Sequence, residues 1–393
     1  MTARTLNVAN AAQFHAAVRA ARGGDTILMA PGSYGNLFIS NRNPEGLVTI
    51  RSADPDNDAV IQQLRITRSR NFLIEDVDIA NPIAPGGVRA DAVQVNGARD
   101  ISFVGIDMHG SLNGTPWDDA RGMAIMGSSR IAVLDSRFTE LRAAVTISRS
   151  SDVIVAGNKV WNAREGFNVA EGDDVLIERN LLRDFNPNLA TGEHPDFIQV
   201  FSTGVGPTTD LVIRNNVMLQ GDSTPIQGIF IRSERIREGV RHSNITIENN
   251  LYEGTSRHGI SVSDAANVTV SGNTVLEGRN PVLAPAISLF NVIGGVAQNN
   301  VATLLQNHAN NVGTSFRNNI DVWDRRFGGV ARETLFEGEV GAIDFTRLAP
   351  RGGSQAEVMR AGYRPVGEIG DLAGSTAQQL GHYLPMFDQA PFA

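Results

Sequence analysis

The chain contains no cysteine, which excludes disulfides and cysteine-based zinc sites and leaves its redox compartment open. Lysine is almost missing as well. Lys159 stands alone among 34 basic residues, so a mechanism that needs a lysine base has a single candidate. Charged residues make up 19% and aromatic residues 6% of the 393 positions, whereas glycine occurs 40 times. This composition suits a fold with many tight bends and little helix. Net charge is −8 and the isoelectric point about 5.4, so no nucleic-acid partner is expected. No apolar run is long enough to span a bilayer, and no membrane partner is expected either. The opening MTARTLNVANAAQF lacks the apolar stretch of a secretion signal. An extracellular or virion-associated location is expected, reached after removal of a signal or as part of a phage-like particle.

What the chain does have is a column of asparagines. Seven short apolar segments each end in one: VIVAGN at Asn158, VLIERN at Asn180, LVIRNN at Asn216, ITIENN at Asn250, VTVSGN at Asn273, VAQNN at Asn300 and SFRNN at Asn319. A repeat of 19 to 36 residues is one supersecondary unit. Each unit reads as a coil of a parallel β-helix. Asparagine tolerates the left-handed geometry of a bend, and a stack of its amides can hydrogen-bond from coil to coil. The expected fold class is all-β: a single right-handed parallel β-helix with an N-terminal capping helix and an irregular C-terminal cap. Residues 10–22 place Phe14, Val18 and Ala21 on one helical face, and Gly23-Gly24 ends that helix. The expected division is a cap over 1–30, the β-helix over 31–320 and a cap or attachment segment over 321–393.

Coils rise by about 4.8 Å, so equivalent residues of successive coils are near neighbours. One column, at the lead position before a strand, reads Asp91, Arg121, Ala143, Glu165, Asp196, Gln227 and His258. The outward column three residues on reads Gln94, Ala124, Thr146, Asn168, Gln199, Phe230 and Ser261. The residues between them are apolar and should point inward, and a slip of one residue would reverse the pattern. A polar strip results, flanked by Arg142, Arg164, His194 and Arg257. Two inserted stretches adjoin it: FNPNLATGEHPD together with STGVGPTT, and RSERIREGVRHS. Loops that interrupt a repeat tend to lie on its binding face.

Stacked carboxylates should not both ionise freely, so a raised pKa is expected on Glu165 or Asp196. Such a pair suits acid and base, or acid and nucleophile, roles on a glycosidic bond. The expected catalytic residues are therefore Asp196, Glu165, His194, His258 and Arg257. Arg232, Arg164, Asn168, Gln199, Gln227 and Trp117 are expected to hold substrate. The bland alternative is a merely solvated strip, since outward columns of a β-helix are polar in any case. RSERIREGVR reads equally as a clamp for sugar carboxylates and as an exposed loop balanced by Glu234 and Glu238. No metal is expected. A calcium site from Glu165, Asp196 and backbone carbonyls is the alternative, but no Asp-rich calcium loop is present.

The opening AAQFHAAVRAARGGDTILMAPGSYGNLFISNRNPEGLVTIRS resembles the cap and first coils of the chondroitinase B / alginate lyase family of β-helix polysaccharide lyases. Further on, SNITIENNLYEGTSRHGISV resembles the coil in which that family carries a catalytic arginine in an L-R-H-G strand. The resemblance implies that role for Arg257, beside His258. The family's base is a lysine one coil earlier in an I-S-x-K-S strand. The matching strand here is IFIRSER, with Arg232 near that place and no lysine. An arginine is a poor base because of its high pKa. RHGIS is also similar to the G-H-G-I-S strand of polygalacturonases, but the preceding coil offers Gln227 where they carry paired aspartates. The series HPDFIQ, QGIF and HGISV looks like a wider class of bacterial extracellular and phage-borne β-helix proteins acting on polysaccharide.

Two functions follow as expectations. The first is an enzyme that binds a bacterial surface or acidic polysaccharide along the strip and cleaves it, as lyase or hydrolase. The alternative is a non-catalytic adhesin, a receptor-binding spike of a phage or gene-transfer particle that recognises capsule. Homotrimer formation or attachment to a larger particle goes with that second origin.

Overall fold

The computed structural model describes residues 2–84, 87–202, 204, 206–279, 283–322, 330–338 and 345–388. Its repeating unit is a coil of three short strands. Val145–Ser148, Ser151–Ala156 and Lys159–Trp161 form one such coil, and Phe167–Ala170 begins the next. Each strand pairs in parallel with its equivalent one coil on: Val145 with Phe167, Val153 with Val175 and Val160 with Leu182. Three stacks run the length of the solenoid. The stack of Ser151–Ala156 holds 13 strands, from Thr5–Val8 to Val312–Arg317. The stack of Val145–Ser148 comes first in each coil and is called the site stack; that of Ser151–Ala156 is the second stack and that of Lys159–Trp161 the third. Inward residues of all three meet in one continuous core.

Two buried ladders fix the bends. Between the second and third stacks, the Nδ2 of Asn180 donates to Asn216 Oδ1 at 2.9 Å, and that of Asn216 to Asn250 Oδ1 at 2.9 Å. The chain of amides runs unbroken from Asn158 to Asn319. The conformational reason differs from the expectation. The ladder asparagines are not left-handed; the residue ahead of each one is, with φ of 67° at Gly157, 55° at Arg179 and 59° at Asn215. The asparagine is there for its hydrogen bonds, and the preceding position absorbs the turn. The opposite bend carries a second ladder, which the sequence did not reveal. Ser128 Oγ accepts from Ala98 N, Ser150 Oγ from Ser128 N, and His242 Nδ1 from Thr208 N.

The N-terminal helix is Ala11–Ala20, capped by Asn10, whose side chain accepts from Gln13 N. It buries Phe14, Ala17 and Val18 over the first coil. The strand Thr5–Val8 precedes it and pairs with Thr26–Met29, so the second stack begins ahead of the cap helix.

Residues 345–388 fold back along the flank of the solenoid. Leu372, Leu380, Tyr383 and Phe387 pack on the outward apolar residues of the second stack, including Leu134, Ile154 and Leu176. This explains why IAVL, VIVA and the VLI of the next coil are apolar at every position: both faces of those strands are covered. The helix Thr376–Tyr383 is held there by the Tyr383 hydroxyl, which donates to Glu178 Oε1 at 2.8 Å. The third stack is covered in the same way by Leu335, Leu348 and Tyr363. Among the described residues no helix is long and apolar enough to cross a membrane.

Candidate functional site

The site stack shows both columns in the expected register. Asp196 pairs with Gln227, Asn168 with Gln199 and Phe230 with Ser261. The pairing of Phe167 with Ile198 sets Glu165 beside Asp196, and that of Ile229 with Ile260 sets Gln227 beside His258. Between the lead and outward columns the chain turns inward at Gly122, Gly166, Gly228 and Gly259. A Cβ on Gly166 would lie 2.1 Å from the carbonyl oxygen of Phe197, and one on Gly228 2.1 Å from that of Gly259. These glycines let successive coils approach closely, which aims the residue ahead of each onto the surface. Gly166→Ala is expected to lower stability by about 1–3 kcal/mol, as over-packing does. Chemical denaturation would read this, and an unchanged midpoint would disprove the close approach.

Asp196 is the unusual member. Its side chain is fully buried, and neither carboxyl oxygen has a hydrogen-bond partner among the described residues. Burial raises its pKa well above the ordinary carboxylate range; the charge of Glu165 acts in the same direction and Arg164 opposes both. The cause of the burial is local. Phe197 turns into the core and meets Phe185 of the preceding insertion edge-on, at 4.7 Å between ring centres. That contact seats the base of the inserted loop beside the carboxyl.

Glu165 is in a different state. Arg164 Nη1 lies 2.7 Å from its Oε1, and Asn168 Nδ2 donates to its Oε2 at 3.0 Å. Two carboxylates in adjacent coils thus have opposite environments, one bare and dry, the other paired and half-exposed. The pKa of His258 is lowered by burial, then by the charges of Arg257 and His194, so its imidazole is neutral near pH 7. Its ring meets Phe230 edge-on at 5.1 Å.

Glu165, Asn168, Asp196, Gln199, Gln227 and His258 therefore share one face, with Arg164, His194 and Arg257 at its margin. Gln227 Oε1, Asn168 Oδ1 and Thr146 Oγ1 are also buried there without partners. Arg232 follows Ile231 at the far end of the same strand row, exposed. Trp117 is not brought into this group. It lies 38% exposed in the loop after the strand Asp107–His109, outside the cleft lining. Lys159 sits on the third stack, 3.3 Å from Asp371, away from the strip. Among the described residues no group of three or more His, Asp or Glu side chains is placed to hold a metal ion.

A cleft of about 470 Å³ opens over the earlier part of the strip. Its walls include Arg89, Arg121, Arg142 and Arg164, with Asp91, Glu165 and Phe201. Arg121 makes two hydrogen bonds to Asp91, at 2.8 and 3.2 Å. The sequence columns contain Asp91 and Arg121 and are flanked by Arg142. The expected strip over residues 165–258 meets this cleft at Glu165 and Asn168, and the cleft extends from there to the earlier coils. Phe201 and Arg89 gave no such signal.

Residues 62–192 match the family model described as right handed beta helix region. The chain is a right-handed parallel β-helix. The same architecture is seen in the alginate lyase AlyF-OU02, solved as a complex with G6. That likeness has 13% identity and a TM-score of 0.54, over 94% of this chain and 97% of that one. A PL6 alginate lyase complexed with trisaccharide is similar at 14% identity and a TM-score of 0.54, over 93% and 96%. A mannuronic acid specific polysaccharide family 6 lyase from human gut microbiota follows at 13% and 0.51, over 81% and 80%. At such identities the likeness is one of fold. No curated protein matches the sequence.

Proposed function

We propose that this β-helix cleaves glycosidic bonds in an acidic polysaccharide laid along the site stack, with Asp196 protonating the leaving oxygen. The observation that carries this reading is the buried, partnerless carboxyl of Asp196 in a strip of other unpaired polar atoms. Unpaired buried polar groups cost stability and mark places where a ligand supplies the missing partner. A carboxyl that burial makes a weaker acid than usual holds its proton longer as pH rises, which suits the acid role in glycosidic cleavage. As the carbon–oxygen bond breaks, its electron pair passes to the glycosidic oxygen, which takes the Asp196 proton and leaves a carboxylate behind. Hydrolysis and elimination both need that step. The fold is shared with lyases of polysaccharide, which agrees with the reading.

The second group follows from the reaction type. In hydrolysis, Glu165 attacks the anomeric carbon or draws a proton from water beside it. In elimination, the neutral imidazole of His258 takes the proton from the carbon next to a uronate carboxylate, and Arg257 lies beside it to meet that charge. Incubation with a panel of acidic and neutral bacterial polysaccharides tests this, reading reducing ends together with the ultraviolet absorbance of unsaturated uronate. Reducing ends alone select hydrolysis, and both signals select elimination. Glycan retained with neither signal would overturn cleavage and leave the adhesin reading.

A further inference from the structure

We propose that the arginine-walled cleft, which reaches Glu165 at one end, is a subsite for an anionic sugar unit adjoining the unit at Asp196, with Arg142 recognising the charge. This rests on the reading of the strip as a polysaccharide site, and it adds a specificity residue that neither the fold nor the cleavage step requires.

The charges in the cleft are unequal in availability. Arg121 is neutralised by Asp91. Arg164 is held on both sides, by Glu165 at 2.7 Å and by Glu193 of the inserted loop at 2.8 Å. Arg142 lies one coil before Arg164 and lines the same wall, half-buried. Among the described residues no side-chain hydrogen bond or ion pair meets its guanidinium. In a chain of net charge −8 this is a local positive charge without compensation, enclosed by a concave wall.

A second observation points to the rest of the ligand. Asn168 is only 7% exposed, lines the cleft and has an unpartnered Oδ1. Thr146 Oγ1, one coil earlier in the outward column, is unpartnered too and lines the same space. Both accept hydrogen bonds. A simple anion would leave these acceptors unmet, and a neutral glycan would leave Arg142 unmet. A sugar that carries hydroxyls and a carboxylate or sulfate satisfies both. The planar guanidinium fork matches either anion with two parallel bonds.

Equilibrium binding by calorimetry on the intact chain tests this in an Asp196→Asn background, where polymer is not consumed. The probes are oligomannuronate and oligogalacturonate of equal length, their carboxyl-reduced neutral forms, and a sulfated galactan fragment. The anionic forms are expected to bind at least ~10-fold more tightly than the reduced forms, the size of effect one charge-assisted pair gives. Arg142→Gln should remove most of that difference, Arg89 at the exposed rim retaining a remainder, and should leave the affinity for reduced forms unchanged and keep the unfolding midpoint of the parent. Arg142→Lys should restore part of it. Tight binding of the uronates or of the galactan decides between carboxylate and sulfate. The proposal is overturned if Arg142→Gln binds the anionic probes as the parent does, or if no anionic probe is preferred. Cleavage lost in Asp196→Asn with no charge preference would remove this subsite alone. Cleavage that survives Asp196→Asn would remove the proposed function while leaving the binding result to stand.

Discussion

Asp196→Asn is expected to lose about 10²–10⁴-fold in cleavage rate, the range that a positioned general acid supplies. Its unfolding should also change in a pH-dependent way. An acid with a raised pKa in the folded chain keeps its proton there, over a range in which the unfolded chain has already released it. Stability from this group is full below the unfolded value near pH ~4 and falls as pH rises toward the folded value. Each tenfold gain in proton affinity on folding costs about 1.4 kcal/mol at pH above both values. An amide at position 196 has nearly the same shape and never ionises. The stability of the variant relative to the parent should therefore rise steadily as pH increases above the unfolded value near ~4 toward the folded value. Thermal or urea unfolding across that range checks it. A difference flat in pH would mean that the carboxyl is ionised in the folded chain, and the acid role would fall with it.

The sequence carried the columns because one rule governs them. In a stacked coil the repeat sets which residues are neighbours, and strand alternation sets which face they take. Glu165 beside Asp196, and Gln227 beside His258, followed from that alone. Contacts made by inserted loops obey no such period. The bond from Arg164 to Glu193 spans 29 residues and depends on how the loop folds back. Trp117 looked suited to a sugar because of its chemistry, yet its loop sets it outside the cleft. The apolar runs of the second stack show nothing in sequence of what covers their outer face. Their outward residues are buried by the helix Thr376–Tyr383, roughly two hundred or more residues later in the chain, and nothing local announces that contact. The asparagine column and its coil-to-coil hydrogen bonds were both legible, and only the left-handed turn was placed one residue too late. Hydrogen bonding holds the asparagine in place, and the left-handed turn belongs to the residue ahead.

Asn216→Leu is expected to destabilise the chain by about 3–6 kcal/mol, because it strands buried polar groups on two coils. The side chain of Asn216 accepts from the backbone N–H of Asn180 at 3.1 Å and from its Nδ2 at 2.9 Å. It donates to the carbonyl oxygens of Ile177 at 2.9 Å and Arg214 at 3.0 Å, and to Asn250 Oδ1 at 2.9 Å. Leucine has similar bulk and fills no hydrogen bond, so the Asn180 N–H and the Ile177 carbonyl lose their partners where water does not reach. Each such loss costs about 1–3 kcal/mol. The internal control is another stack of the same chemistry on the surface. Asn267 donates to Asn244 Oδ1 at 3.0 Å, and Asn244 to Asp210 Oδ1 at 3.0 Å, both in solvent. Asn267→Gly should stay within about 0.5 kcal/mol of the parent, because water replaces what is removed and glycine accepts the left-handed φ of 54° at this position. Asn216→Leu should also break the single unfolding transition in two. A solenoid is held by nearest-neighbour interfaces, and a weakened interface in its middle uncouples the coils on either side. Denaturant unfolding followed by hydrogen exchange reads both effects. Equal losses in the two variants would mean that the asparagine ladder works through side-chain pairing alone and that burial is irrelevant to it.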